Sequence, residues 1–427
     1  MAKFILTTWE GGGAVGPVVT VARKLVEAGH AVRVMSDACN RPESEAAGAK
    51  FVPWTRAPSR TDRSRESEIL RDWDTDDVAE SYSRVIGSLV AGPSQAYAED
   101  VIEELERDPA DLIVTSELLL GVMAGAEAKG VPFAMMPCNT LITTIKGAID
   151  AGMLQFFEAN PPTDPGIAMK VHALKSMQAA MAQGVPAMNQ GRVAVGLPPV
   201  QHLFEQLAPA KKTLMAVSKV FEGAPEQDPA GVAFIGAQLD EPGWAEPWTS
   251  PWPADDKRPL VLVGFSTTFQ NQIGVLQNVI DALGTLPVRG LVTLGPTVSP
   301  GELSAPDNVQ VVPSAPHGAV MEQASLVITH GGFGTLARAL THKLPVLVMP
   351  MGRDQGLNAE KVMAHGAGLA LPPDADPATI AGAAQKLLAE ASYAEAAGRI
   401  GEAISAEMRE SRVVEELVAL SRADEGA

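Results

Sequence analysis

Two short apolar runs on either side of a glycine-rich loop constrain the fold of this chain more than any other stretch. The first run occupies residues 326–328 and leads into Thr-His-Gly-Gly-Phe-Gly-Thr at 329–335. A helical pattern follows at 336–340, and the second apolar run begins at Val346. Because a strand, a helix and a second strand in this order form a parallel βαβ unit, the stretch predicts an α/β fold.

The same alternation of apolar runs and helical patterns recurs along the whole chain. Apolar runs that predict strands lie at residues 4–8, 31–35, 50–53, 111–116, 131–137, 213–217, 232–236, 260–265, 291–294, 309–312, 326–329, 346–349 and 369–371. The 427 residues are too many for one hydrophobic core. We therefore predict two doubly wound parallel sheets, with a domain at 1–239, a proline-rich linker at 240–257, a second domain at 258–395 and C-terminal helices at 396–427.

The glycine-rich loop at 329–335 has the composition of an anion-binding site. Glycines let the backbone approach a bulky anion, and the free N–H groups that begin the next helix favour negative charge. Thr335 can donate a hydroxyl and His330 a ring N–H. Asp354 and Gln355 follow the next apolar run, and an acid beside an amide suits a ligand rich in hydroxyls. A nucleoside diphosphate sugar would satisfy both parts.

These residues resemble the donor signature of the UDP-glycosyltransferase family, and in particular of its bacterial macrolide and natural-product members. The similarity covers 330–335, 344–346, 349–350 and 354–359, and it is dense from about 314 to 371. Family members are inverting enzymes of the GT-B fold. The resemblance implies two Rossmann-like domains facing a central cleft, with the last helix packing back on the first domain. It also implies transfer of a sugar from a UDP- or dTDP-sugar to a hydroxyl of a small apolar acceptor.

The resemblance also assigns residues to the donor site. Thr267 and Thr268 correspond to a turn that touches the phosphates, and Asp354 and Gln355 correspond to contacts with the sugar hydroxyls. The expected donor-binding residues are Thr267, Thr268, Ser314, Ala315, His317, His330, Gly331, Gly332, Gly334, Thr335, Asp354 and Gln355. Two positions depart from the family pattern. Ser314 replaces an aromatic ring that stacks on the nucleobase, and Arg338 replaces a glutamate that grips the ribose.

A second glycine loop, at residues 11–16, offers a different reading of the first domain. It matches G-x-G-x-x-G after a predicted strand, and Asp37 lies about twenty residues further on, which is typical of dinucleotide-binding folds. An NAD-dependent oxidoreductase is therefore the alternative prediction from another functional class. The pattern alone is common, and a dehydrogenase would not explain the signature of the second domain.

The family's catalytic histidine belongs in this first loop, where the present chain has Ala14. The aspartate that steers that histidine is also absent, because its position holds Ser116. We predict that a carboxylate replaces the pair, since burial can raise the pKa of such a group toward neutrality. Glu10 is the first candidate, and Glu117 and Asp37 end neighbouring strands. The alternatives are an acidic phenol acceptor that needs little base, or a protein that binds nucleotide sugars without transfer.

Composition restricts the partners and the location. The net charge of −18, from 51 acidic and 33 basic residues, argues against nucleic acid and anionic membranes, so diphosphate binding must be local. Cys39 and Cys138 form no disulfide framework, and no Cys/His cluster suggests zinc. The short apolar N-terminus and the lack of a long apolar run predict a cytoplasmic protein without a membrane span. We expect no metal and no cofactor beyond UDP-glucose or dTDP-glucose as co-substrate, and the oligomeric state stays open.

Two long segments have ambiguous patterns. Residues 56–77 carry many charges of both signs and are predicted to form a solvated loop or helix. Residues 139–207 are rich in Met, Ala and Phe, which is compatible either with an adaptable wall of an acceptor pocket or with plain core packing.

Overall fold

The computed structural model describes residues 1–240 and 247–422. Parts of two predicted segments, the linker at 240–257 and the C-terminal helices at 396–427, therefore lie outside the described residues. Among the described residues, no helix combines the length and the apolar character needed to cross a membrane.

The described residues form two parallel sheets, as the apolar runs predict. The first sheet has 7 strands in the order β3-β2-β1-β4-β5-β6-β7, and the second has 6 strands in the order β10-β9-β8-β11-β12-β13. The strands are β1 Lys3–Thr7, β2 Ala31–Ser36, β3 Lys50–Pro53, β4 Leu112–Thr115, β5 Phe133–Met135, β6 Thr213–Met215, β7 Val232–Phe234, β8 Leu260–Gly264, β9 Arg289–Thr293, β10 Val309–Val312, β11 Leu326–Thr329, β12 Val346–Val348 and β13 Gly368–Ala370.

Helices cover both faces of each sheet. They are α1 Val15–Glu27, α2 Arg41–Ala46, α3 Val78–Val85, α4 Ser94–Arg107, α5 Leu120–Ala128, α6 Leu141–Asp150, α7 Met153–Ala159, α8 Pro165–Ala194, α9 Lys219–Glu222, α10 Ile273–Gly284, α11 His317–Met321, α12 Phe333–Thr341, α13 Gln355–Ala364, α14 Pro377–Ala389, α15 Ala391–Arg409 and α16 Val413–Leu420. A π-helical turn, Ile86–Val90, extends α3.

The continuous apolar runs are explained by burial on both faces of each sheet. In β1, Phe4 and Leu6 face one hydrophobic cluster, while Ile5 faces another on the opposite side. In β8, Leu262 and Val263 divide in the same way between two clusters. Since side chains alternate across a strand, a sheet covered on both faces needs apolar residues at consecutive positions. The strands of such a sheet can therefore be predicted from the sequence.

The C-terminal helices connect the two domains. α15 packs against α12 of the second domain, whereas Val413 and Leu417 of α16 lie in a hydrophobic cluster of the first domain with Val18 of α1. Between these helices, Ser411 donates a hydrogen bond to the Ile235 carbonyl at 2.6 Å. The end of the described chain thus crosses from the second domain to the first.

The charged segment at residues 54–77, here called the strap, is not the solvated loop that its composition predicts. It has no helix or strand, but its start is fixed because Asp100 accepts backbone N–H bonds from Thr55, Arg56 and Ala57. Further along, Arg60 and Glu68 form an ion pair at 3.0 Å whose two side chains are each 1% exposed. The opposite charges of this pair neutralise each other inside the structure, and composition alone cannot reveal the pairing.

Candidate active site

The strand orders locate a cleft between the two domains. The order reverses between β1 and β4 in the first sheet and between β8 and β11 in the second, and ligands of such sheets bind where the carboxyl ends diverge. A cavity of about 1230 Å³ lies there and is lined by residues that follow all four strands. Glu10, Glu117, Ser266 and His330 are among them.

The glycine loop at residues 329–335 forms one side of this cavity. β11 ends at Thr329 and α12 begins at Phe333, so the intervening residues turn the chain sharply. Gly331 has φ +102°, and a Cβ there would lie 2.8 Å from Val348 Cγ1 and 3.2 Å from the Gln355 carbonyl oxygen. Only glycine fits this position. Behind it, the first N–H groups of α12 form the positive end of a helix at the cavity, a geometry suited to phosphate.

Gly331→Ala is therefore expected to damage the donor loop. The added methyl group meets the side chain of Val348 at an unfavourable φ, which should cost roughly 1–3 kcal/mol and weaken binding of a nucleoside diphosphate about tenfold or more. Calorimetric titration with UDP and dTDP measures this. Gly382→Ala in α14, where the added Cβ meets nothing within 4 Å, is the matched control. Equal affinities in both variants would contradict the role of Gly331.

The two histidines expected at the donor site are neutral. Burial lowers the pKa of His330 to about 4, and the nearby Arg353 charge adds to the effect. Burial likewise lowers the pKa of His317 to about 4. His317 is half-buried, and its Nε2 lies 2.9 Å from Oγ1 of Thr293 at the end of β9. Both rings line the cavity and can offer hydrogen bonds there without a positive charge.

The remaining expected donor residues divide into two groups. Those that line the cavity are Thr267, Ser314, Ala315, Gly332, Gly334, Thr335, Asp354 and Gln355. Gly331 and Thr268 lie behind this surface. Gln355 lines the cavity, but its amide is engaged within the protein, because it accepts from Met351 N at 2.7 Å and donates to Gln270 Oε1 at 2.8 Å. Its side chain holds the loop together, whereas the resemblance predicts a sugar contact.

Asp354 follows β12 and lines the cavity. Its Oδ2 accepts from Asn358 Nδ2 at 2.8 Å, which orients the carboxylate at the start of α13. Burial raises its pKa. Arg338 also lines the cavity and donates from Nη2 to the Asp240 carbonyl at 2.8 Å, so it links the donor side to the end of the first domain.

Glu10, the first candidate for the base, is already engaged by its neighbours. Its Oε1 accepts from Gly12 N at 3.0 Å and its Oε2 accepts from Arg63 Nε at 2.9 Å. The carboxylate thus occupies the N–H group of the first glycine loop that an external anion would use. This arrangement argues against Glu10 as a free base and equally against a dinucleotide phosphate in this loop.

Asp37 is buried behind the same loop and does not line the cavity. Its two oxygens accept backbone N–H bonds from Glu10 and Arg60, each at 2.8 Å. Burial raises its pKa to about 6. The carboxylate therefore fixes the loop and the strap, and it is available neither to an acceptor nor to the ribose of a dinucleotide.

Glu117 is the candidate whose carboxylate faces the cleft without a cationic partner. It follows β4, lines the cavity and accepts from Ser116 Oγ at 3.2 Å, and no described residue forms an ion pair with it. Burial raises its pKa to about 7, and the negative charge of Asp354 across the cleft adds to the rise. Ala14 and Ser116, which replace the family's histidine and aspartate, line the same cavity. Glu117 thus adjoins the missing pair with a pKa suited to proton transfer.

The part of the cavity in the first domain is largely apolar. The side chains that form this wall are Leu70, Trp73, Tyr82, Val85, Leu118, Leu141, Ile142 and Met177. They come from the strap, from α3, from the loop after β4, and from α6 and α8. The Met-rich segment therefore contributes both to the cavity wall, through Met177, and to the core, where Met188 is fully buried.

Comparison with known proteins shows which enzymes this chain resembles. Residues 277–420 match the family described as erythromycin biosynthesis protein CIII-like, C-terminal domain. The chain is 26% identical over 390 residues to 4'-demethylrebeccamycin synthase of Lentzea aerocolonigenes, covering 87% of each protein. It is 24% identical over 406 residues to demethyllactenocin mycarosyltransferase of Streptomyces fradiae, covering 91% of this chain and 79% of the relative. Over most of its length this chain is therefore similar to natural-product glycosyltransferases.

A solved structure agrees with this similarity. The calicheamicin glycosyltransferase CalG4 superposes with a TM-score of 0.71 at 20% identity, with 100% of both chains covered. This likeness confirms the predicted GT-B fold, and the relatives confirm the predicted resemblance.

The sequence did not point to the residues that bridge the cleft. Arg353 donates from Nε and Nη2 to the Asp72 carboxylate at 2.8 and 3.0 Å, although 281 positions separate them. Trp73 packs edge-on against Phe269 with ring centroids 5.2 Å apart. An arginine directly before Asp354 was a possible signal, but no local pattern indicates its partner.

Proposed function

We propose that this glycosyltransferase moves a hexose from a UDP- or dTDP-sugar to a hydroxyl group of a small apolar acceptor, with inversion at the anomeric carbon. The observation that carries the proposal is the shared cavity, which brings together the glycine loop, Asp354, Glu117 and an apolar wall. The loop and Asp354 suit the diphosphate and the sugar of a donor. The wall and Glu117 suit an apolar acceptor and its hydroxyl proton.

In the proposed reaction Glu117 is the general base. The acceptor oxygen forms a bond to the anomeric carbon while its proton passes to the Glu117 carboxylate. The bond from the same carbon to the diphosphate oxygen breaks, and its electron pair leaves with the diphosphate. N–H groups at the start of α12 would stabilise the developing charge. Attack opposite the leaving group inverts the configuration.

Thermal unfolding with a panel of ligands tests the donor class. A ligand at about a hundred times its dissociation constant adds about 2.7 kcal/mol, which gives a visible shift. We expect stabilisation by UDP or dTDP and by the matching glucose conjugate, and none by NAD. The larger of the two shifts identifies the donor base. Stabilisation by NAD alone would refute the proposal and favour the oxidoreductase alternative.

Asp354→Ala is expected to weaken use of the sugar donor far more than binding of the bare nucleoside diphosphate. The carboxylate can accept hydrogen bonds from sugar hydroxyls, and a hydrogen bond to a charged group contributes about 1.5–3 kcal/mol. The KM for the donor should therefore rise roughly tenfold or more, with little change in the affinity for UDP or dTDP. Asp374→Ala, at an exposed acid on the rim of the same cavity, is the control. Equal losses for donor and nucleotide would contradict the assignment.

We also propose that transfer needs no metal ion. Among the described residues, no group of three or more His, Cys, Asp or Glu side chains is arranged to hold one, and the N–H groups of α12 can carry the diphosphate charge instead. Activity should persist in excess chelator. An activity that disappears with the chelator and returns with a divalent cation would overturn this point.

A further inference from the structure

Arg353 is a cation fixed beside the candidate diphosphate site. It stands directly before Asp354, adopts a left-handed backbone conformation at φ +57°, and has a side chain that is 22% exposed. Its Nη1 donates to Thr268 Oγ1 at 3.0 Å, and its charge helps to lower the pKa of His330. Thr268 belongs to the turn after β8 and His330 to the loop after β11. The guanidinium therefore lies at the point where the two phosphate-contacting segments meet.

Arg353 matters because the protein offers a diphosphate little other positive charge. The chain carries a net charge of −18, so a diphosphate gains no help from a general positive field. The three other arginines of the cavity wall are engaged elsewhere. Arg23 pairs with Asp240, and Arg63 pairs with Glu10 and Glu43. Arg338 donates to the Asp240 carbonyl. Arg353 is the arginine of the wall that contacts the phosphate-binding turn. Its remaining N–H groups have no partner among the described residues.

The partner that orients Arg353 belongs to the other domain. Asp72 of the strap accepts two parallel hydrogen bonds from the guanidinium, and such a bidentate pair fixes the plane of the group as well as its position. Nearby, Trp73 packs on Phe269, and the guanidinium of Arg65 lies 3.9 Å from the centroid of the same ring. The first domain thus determines where a cation of the second domain points.

We propose that Arg353 contacts the diphosphate and stabilises it as it departs, and that Asp72 is the positioning residue that holds Arg353 in place. The inference rests on the proposed function. When the bond between the anomeric carbon and the β-phosphate oxygen breaks, the electron pair and the negative charge pass to that oxygen. An N–H group already oriented toward it lowers the barrier without reorganisation. Because Asp72 sits on the strap, the cation is in place only when the two domains are engaged.

The test compares nucleotides with and without a β-phosphate. Arg353→Gln should lower kcat on the order of a hundredfold and weaken binding of UDP or dTDP while leaving UMP or dTMP unchanged. Asp72→Asn should give a smaller loss in kcat, Asp72→Glu should restore part of it, and Asp72→Asn should add little in the Arg353→Gln background. Glu302→Gln is the matched control, since it breaks the ion pair of Arg65 across the same boundary without touching Arg353.

Each failure has a separate meaning. If the wild-type protein binds neither UDP nor dTDP, the proposed function itself is wrong. If it transfers sugar but Arg353→Gln retains kcat, or if that variant loses the mono- and diphosphates equally, the role of Arg353 is refuted and the proposed function stands. Should Arg353→Gln not fold, Asp72→Asn decides the matter, and an unchanged kcat in that variant refutes the positioning role.

Discussion

Glu117→Gln is expected to lower turnover by roughly 10²- to 10⁴-fold, the usual contribution of a general base. Glutamine keeps the size of the side chain and can still accept from Ser116 Oγ, so the wall of the cavity should be preserved. Binding of UDP or dTDP should not change, because the glycine loop lies in the other domain. Steady-state kinetics together with calorimetric titration of the nucleotide separates the two effects.

The pH profile distinguishes a base from a structural carboxylate. Because burial raises the pKa of Glu117 to about 7, wild-type kcat should rise with pH through that value and then level off. The variant should lack this ascending limb. Glu10→Gln is the informative comparison, since Glu10 lines the same cavity but is paired with Arg63. Loss of the limb in Glu10→Gln and its retention in Glu117→Gln would reverse the assignment.

The same substitution should stabilise the protein at high pH. The folded state raises the pKa of Glu117 from its ordinary 4.5 to about 7, so stability is lost as the pH rises between these values. Removing the ionisable group should raise the free energy of unfolding by up to about 3 kcal/mol above pH 7 and should not change it below pH 4.5. A variant that is less active yet more stable at pH 8 is expected, and thermal unfolding at both pH values measures it. A variant equally destabilised at both would argue against a buried ionised Glu117.

Glu68→Gln is expected to destabilise the first domain by about 3 kcal/mol or more, because breaking a buried ion pair leaves a charge without its counterion. Arg60 cannot relieve the loss by deprotonation, and its side chain is only 1% exposed. The guanidinium also donates to the Ser64 carbonyl and to Ser67 Oγ, so it holds the strap in shape. The variant should unfold at lower temperature and lose its resistance to trypsin within residues 54–77 first.

The control for this prediction is the same chemical change at an exposed pair. Arg65 and Glu302 have side chains that are 33% and 34% exposed, and an exposed pair contributes about 1 kcal/mol or less. Glu302→Gln should therefore leave the unfolding temperature and the proteolysis rate nearly unchanged. Similar decreases of the unfolding temperature in both variants would show that the Arg60–Glu68 pair stabilises the fold no more than an exposed pair does.

The features that the sequence predicts are those encoded by neighbouring residues. Strands buried on both faces need consecutive apolar residues. For this reason each of the strands β1 to β13 overlaps one of the predicted apolar runs. The glycine loop is likewise contiguous, and the φ of Gly331 explains its composition. The sequence does not decide among Glu10, Asp37 and Glu117 as the base. The choice depends on which carboxylate meets an N–H group or an arginine from a distant segment.

The strap shows the same limit in its clearest form. Some of its charges have distant partners, as Asp72 has in Arg353, and others pair within the strap, as Arg60 does with Glu68. Composition indicates neither kind of pairing. Gln355 matches a sugar-binding motif, yet its amide is used to fasten Met351 and Gln270. A residue can thus occupy the position of a motif without the expected contact, because tertiary contacts use the same polar atoms.

The Glu10 carboxylate in the first glycine loop has a consequence for how the loop responds to solutes. The loop carries its own tethered anion, bound to Gly12 N and Arg63, so any external anion must compete with an intramolecular one. A group tethered so closely acts at an effective concentration of about millimolar or higher. Free phosphate should therefore bind this loop less readily than it would bind a glycine loop without such a carboxylate.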